Sequence, residues 1–259
     1  MNETQRSAIS KVPEVTLVFW ALKIMATTLG ETGGDAVTMS MNLGYLAGTA
    51  IFAAAFLIAV TIQVRSKAFH PVIYWITIIA TTTVGTTLAD FSDRSLGIGY
   101  LGGSLLLSGL LATSLFVWYR STGSLAVDRV NSPRTEMFYW ITIMFSQTLG
   151  TALGDFVADG RNEVPAGLGL GYDGGAMIFG GALVLIAIAY FTTRVSRTAL
   201  FWAAFILTRP LGAVLGDFLD KPIASGGLAL SRYSASMVLL ALMAIGVFML
   251  PHRASRQAH

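Results

Sequence analysis

Four times along this chain a tryptophan is followed after ten residues by glycine and after five more by aspartate: Trp20/Gly30/Asp35, Trp75/Gly85/Asp90, Trp140/Gly150/Asp155 and Trp202/Gly212/Asp217. Each set lies in a long apolar run. The chain therefore reads as four copies of one membrane unit, each carrying a carboxylate into or near the bilayer. A repetition in fixed register decides the architecture as a whole.

Composition supports this. Hydrophobic residues make up 54% of the 259 residues and charged residues 12%, about half the charge of a soluble domain. A length that in water would give one or two domains is better divided into apolar spans of about 20 residues. Eight are predicted, at about 14–31, 42–64, 70–90, 97–119, 137–157, 168–192, 199–217 and 229–250. The expectation is an all-α membrane protein with a single transmembrane domain over 1–259, built of four parallel two-helix repeats at about 14–66, 70–120, 136–193 and 198–250. The absence of cysteine excludes a disulfide framework and a thiolate metal site.

The first residues, MNETQRSAISKVPEV, lack the basic region and short apolar core of a secretory signal, so the first span is expected to stay in the mature protein. The net charge is +3, but the basic residues form no soluble face, and nucleic acid is not an expected partner. They mark sidedness instead. Arg6, Lys11, Arg65, Lys67, Arg120, Arg129, Arg134, Arg194, Arg197, Arg253 and Arg256 fall at the termini and after even-numbered spans. Arg94, Arg161, Lys221 and Arg232 fall in the opposite loops. By the positive-inside rule both termini are predicted to be cytoplasmic.

Each repeat reads as a helical hairpin. Its first helix starts at an aromatic pair, Phe19-Trp20, Tyr74-Trp75, Tyr139-Trp140 or Phe201-Trp202, which suits the partly wet headgroup region. Its second carries Tyr45-x-x-Gly48, Tyr100-x-x-Gly103, Tyr172-x-x-Gly175 or the departure Tyr233-x-x-Ser236. Small residues there let helices approach closely.

Depth follows from helical rise. With tryptophan at the inner interface, the glycine lies about 15 Å deeper and the aspartate about 22 Å along, in the outer half of the bilayer. Glu31 adds an acid near the midplane. Carboxylates at such depths face a bundle interior or a water-filled cavity, so Asp35, Asp90, Asp155 and Asp217 are expected to converge on a central vestibule or to pin one repeat to the next. Asp93, Asp159 and Asp220 come three or four residues after their repeat's aspartate. They either share its helix face or cap helix ends in the loops.

Two basic residues break the symmetry. Lys23 follows Trp20 by three residues and is expected to snorkel to the inner surface or to compensate buried charge. Arg209 stands where the other copies have Thr27, Thr82 and Gln147, too deep to snorkel, and needs a carboxylate partner. Pro210 beside it is expected to kink the seventh span.

Hydroxyl and amide groups recur on these helices, among them Thr27, Thr82, Thr86, Gln147 and Thr151. Carboxylate, hydroxyl and carbonyl oxygens form a hard ligand set suited to magnesium, calcium or manganese. Histidine occurs only at His70, His252 and His259, so zinc and copper are poorly served.

The tandem tryptophan, glycine and aspartate hairpins at about residues 19–250 resemble a family of bacterial integral membrane proteins made of four two-span "repeats of unknown function", described broadly as membrane-anchored proteins. The resemblance implies the topology and a bacterial inner membrane, and little chemistry. Gly30-Glu31-Thr32-Gly33-Gly34-Asp35 is weakly similar to the Glu-x-Gly-Asp motifs of membrane cation exchangers, with spacing that differs by one residue.

The leading expectation is a transporter that exports or exchanges a hard divalent cation such as manganese against protons. Glu31, Asp35, Asp90, Asp155 and Asp217 would be ligands, and Arg209 and Lys23 would compensate charge. Asp93, Asp159, Asp220, Thr27, Thr82 and Gln147 would stand behind them. The alternatives are a proton-coupled transporter of a small organic solute and a non-transporting scaffold. The metal is expected as substrate, not cofactor, and the partners as the lipid bilayer and a further copy in a homo-oligomer. An enzyme is not expected, since no Gly-x-Ser-x-Gly, His-Glu-x-x-His or phosphate-loop motif is present.

Overall fold

The computed structural model describes residues 10–162 and 164–255. Arg6 and Arg256, counted above for sidedness, and His259 lie outside the described residues. Eight long helices account for the repeats among the described residues: α1 Leu17–Asp35, α2 Gly44–Arg65, α3 Pro71–Asp90, α4 Gly99–Thr122, α5 Pro133–Ala158, α6 Gly171–Thr192, α7 Arg197–Asp220 and α8 Arg232–Met249. Six of them, all except α1 and α5, are long and apolar enough to cross a membrane.

The odd helices form an inner ring, each packed on the next, with α7 closing onto α1. The tryptophan, glycine and aspartate register explains the closure. A Cβ at Gly30 would strike Thr82, one at Gly85 would strike Gln147, one at Gly150 would strike Arg209, and one at Gly212 would strike Thr27. Each signature glycine therefore receives a side chain from the following repeat, and the fourth receives one from the first. The aromatic pairs obey the same rotation: Phe19 meets Trp75, Tyr74 meets Trp140, Tyr139 meets Trp202 and Phe201 meets Trp20, at 5.7, 5.8, 6.2 and 5.8 Å between ring centroids. Glycine lets the backbones approach closely, and the rings supply the apolar area that holds them.

The expected hairpins are corrected by this packing. The two helices of a repeat hardly touch; α2 lies on α3, α4 on α5, α6 on α7, and α8 returns to α1. The turns account for the displacement. Asn42 and Gly44, Gly97 and Gly99, and Gly169 and Gly171 place two left-handed residues before each of the first three outer helices. That requirement explains the glycine preceding the repeated tyrosine. In the fourth copy Ala229 takes the first left-handed position at φ 53°, and Ser236 replaces glycine and donates to the Thr32 hydroxyl of α1 at 2.8 Å.

A second correction concerns the aromatic pairs. Trp75, Trp140 and Trp202 are sealed against Phe19, Tyr74, Tyr139 and Trp118 in one cluster, and the Tyr74 and Tyr139 hydroxyls bond each other at 2.7 Å. They form a plug across one end of the ring and are not partly wet anchors. The outer helices instead present Leu57, Leu105, Leu185 and Val238 outward, an apolar jacket suited to lipid. Helix α7 runs unbroken through Pro210.

Candidate functional site

Residues four apart on one helix face stack one above another, so counting back from each aspartate by turns gives four layers inside the ring. The outermost is Asp35, Asp90, Asp155 and Asp217. One turn further in are Glu31, Thr86, Thr151 and Ala213, then Thr27, Thr82, Gln147 and Arg209, then Lys23, Ile78, Ile143 and Phe205 above the aromatic plug. Every one of these side chains is buried. The apolar jacket and the plug isolate them, which a polar stack inside a membrane requires.

Cations cross-link the acid layer. Arg94, four residues beyond Asp90, reaches Asp90 at 3.1 Å, Asp159 at 3.2 Å and Asp155 at 3.5 Å, joining the second repeat to the third. Lys221, four residues beyond Asp217, reaches Asp35 at 3.0 Å and Asp217 at 3.1 Å, joining the fourth to the first. Arg232 of α8 adds Asp220 at 3.1 Å and Asp35 at 3.7 Å. Tyr100 donates to Asp159. Burial alone would lower the pKa of the Lys221 ammonium, but Asp217, Asp35 and Asp220 outweigh it and hold the lysine above its ordinary range.

One turn further in, Arg209 bonds Glu31 at 2.9 Å and the hydroxyls of Thr86 and Thr151. The carboxylate partner expected for Arg209 is thus Glu31, from the first repeat. Lys23 is corrected: it does not snorkel. Its side chain is fully buried, 3.5 Å from the Gln147 amide oxygen and 4.2 Å from the centre of the Phe205 ring. Phe205 and Gln147, from the fourth and third repeats, enclose it laterally above the aromatic plug.

Of the expected ligands, Glu31, Asp155 and Asp217 each place an oxygen within 4.8 Å of the others, and so do Asp35, Asp217 and Asp220. Asp90 joins neither group; it is paired with Arg94. Asp159 and Asp220 belong to the ion-pair network. Asp93 turns aside against Gly103 of α4. The Thr27 hydroxyl bonds backbone carbonyls at Lys23, Ile24 and Thr208, and Thr82 packs on Gly30. Among the described residues, Oδ1 of Asp35, Asp155 and Asp220 in the two trios has neither a hydrogen-bond nor an ion-pair partner. Two opposite ligands of an octahedral ion at ~2.1 Å stand roughly 4.2 Å apart, so small side-chain rotations would close either trio on a hard cation.

From sequence, Arg94, Lys221 and Arg232 read as markers of sidedness alone. Their spacing of four from Asp90 and Asp217 was a signal for two of them. Nothing local marked Arg232, which comes from the following helix.

The model for the Repeat of Unknown Function (DUF347) matches residues 18–69, 73–124, 138–196 and 200–256. The chain belongs to this family. The four matches coincide with the four inner and outer helix pairs, so the family's repeat is the unit that the glycine and aromatic contacts close into a ring. No curated protein and no solved structure matches the chain.

Proposed function

We propose that this member of the family is an eight-span transporter of the bacterial inner membrane, with both termini cytoplasmic, that exchanges a hard divalent cation such as manganese for protons. The observation that carries the reading is the buried trio Glu31, Asp155 and Asp217, three carboxylates from three repeats with oxygens within 4.8 Å of one another. Oxygen donors alone favour a hard ion. Unpartnered oxygens on Asp35, Asp155 and Asp220 leave lone pairs for it. Carboxylates bind a metal only when deprotonated, so affinity rises with pH and protonation releases the ion. Arg209, Arg94 and Lys221 hold the acids' charge when no cation is bound and move aside as it enters.

The experiment is manganese flux into proteoliposomes under an imposed pH gradient. Flux is expected in the native protein and is expected to be lost in Glu31→Gln and in Asp217→Asn, with thermal unfolding showing both variants folded. Unchanged flux in the double variant overturns the site.

A second reading, a non-transporting scaffold, is favoured by one observation: Arg94 and Lys221 each bridge carboxylates of two repeats. In that case no cation or amine raises thermal stability and no flux appears.

A further inference from the structure

The pseudo-fourfold symmetry fails at one place on the outer surface. Trp75, Trp140 and Trp202 are each no more than 4% exposed, whereas Trp20 is only partly buried and lines an open groove of about 410 Å³. Trp20 and Ile24 of α1, Leu183 and Ala187 of α6, and Leu200 and Ala204 of α7 make its walls. Around the corner, at Trp202, the loop after α4 fills the matching space, and Leu125 accepts a hydrogen bond from the indole at 3.0 Å.

The groove runs along α7 from Arg197 to Thr208. Eleven residues of helix span about 16 Å, half of a hydrocarbon core of ~30 Å. That is the depth of one leaflet. The walls are apolar and the mouth is cationic. Arg197 lies 4.4 Å over the centre of the Tyr190 ring and donates to the Tyr190 carbonyl. Arg194 is exposed three residues before it. Neither arginine is in an ion pair among the described residues. Both stand at the N-terminus of α7, where the helix dipole also favours negative charge.

We propose that this groove is a binding site for an anionic phospholipid, with one acyl chain lying along Trp20, Ile24 and Ala204 and the phosphate held by Arg197 and Arg194. An acyl chain fits an apolar cleft one leaflet deep. An anionic headgroup completes two arginines that lack acidic partners, as basic pockets between membrane helices do. The inference rests on the chain's crossing a bilayer and is independent of what the acid layer carries.

The test uses the full chain in neutral detergent, titrated with phosphatidylglycerol or with phosphatidylcholine of the same acyl chains. Retention is read by native mass spectrometry and unfolding by a thermal scan. One phosphatidylglycerol is expected to bind and raise Tm, with a preference over phosphatidylcholine of about 30-fold from the two arginines. Arg197→Gln is expected to weaken phosphatidylglycerol about fivefold. Ala187→Trp, at an exposed wall position, is expected to abolish retention of either lipid while the unliganded Tm stays at the native value. Equal binding of the two lipids overturns the proposal, as does phosphatidylglycerol binding that neither variant changes. A dimer that Ala187→Trp disrupts, with no lipid retained, overturns it in favour of a second copy in the groove.

Discussion

Arg209 of the fourth repeat donates to Glu31 of the first across 2.9 Å, with the two side chains 0% and 3% exposed. Removing one member leaves the other as an uncompensated buried charge, which costs about 3–5 kcal/mol. Arg209→Met and Glu31→Met are each expected to lose that much in unfolding titrations in detergent, and the double variant to regain most of it. Additive losses would show the pair to be uncoupled.

The signature glycines are expected to divide from other helical glycines on alanine substitution. Gly150→Ala drives a Cβ into Arg209 and Gly212→Ala drives one into Thr27, so each should lose about 1–3 kcal/mol from overpacking. Gly180→Ala on the outer helix α6 meets nothing within 4 Å and should be neutral or gain up to about 1 kcal/mol in helix propensity. Chemical denaturation of the three variants side by side checks the contrast.

The Tyr74 and Tyr139 hydroxyls share one buried bond at 2.7 Å. Tyr139→Phe strands the partner hydroxyl and should cost about 1–3 kcal/mol, whereas replacing both tyrosines by phenylalanine should cost much less. A double-mutant cycle on thermal unfolding gives the coupling. No coupling would mean that the aromatic plug holds by ring packing alone.

Ala229 occupies a left-handed conformation at φ 53°, at a turn where two of the other three repeats use glycine. A Cβ is disfavoured there by about 1–2 kcal/mol, partly offset in glycine by the greater freedom of the unfolded chain. Ala229→Gly is expected to stabilise by about 0.5–1 kcal/mol, read as a rise in Tm.

Lys221 is held above its ordinary pKa by Asp217, Asp35 and Asp220. A group raised in this way stabilises the fold fully below its unfolded pKa and loses that contribution as pH climbs through the folded value. The Tm difference between the native protein and Lys221→Met should therefore stay level from neutral pH to about 10 and shrink above it. A difference that grows above that point would reverse the assignment.

Much of the ring was legible because its contacts repeat. The spacing of tryptophan, glycine and aspartate placed three depths on each inner helix, and Arg209 at a threonine position signalled a buried partner. Lys23 reads as a surface-seeking side chain because three residues past the tryptophan is shallow when measured along a helix. What buries it is lateral, the Phe205 ring and Gln147 from two other repeats. The cations of the acid layer were missed for a related reason. Loop charges serve as topological markers on average, and only packing shows that Arg94 and Lys221 fold back onto the aspartates of a neighbouring repeat.

The helices, their fourfold register and the residues that share a layer can be read along the chain, because each follows from the local geometry of a helix and a repeat. Packing sets the rest: every outer helix leans on the next repeat instead of its own, the ring closes through Gly212 and Thr27, and the acids split into cation-bridged groups. Ring closure and the bridging of acids between repeats depend on contacts between residues more than 50 positions apart, such as Arg94 with Asp155 at a separation of 61 and Asp35 with Lys221 at 186. Which partner a buried charge finds is set by the ring's closure, and no local spacing encodes it.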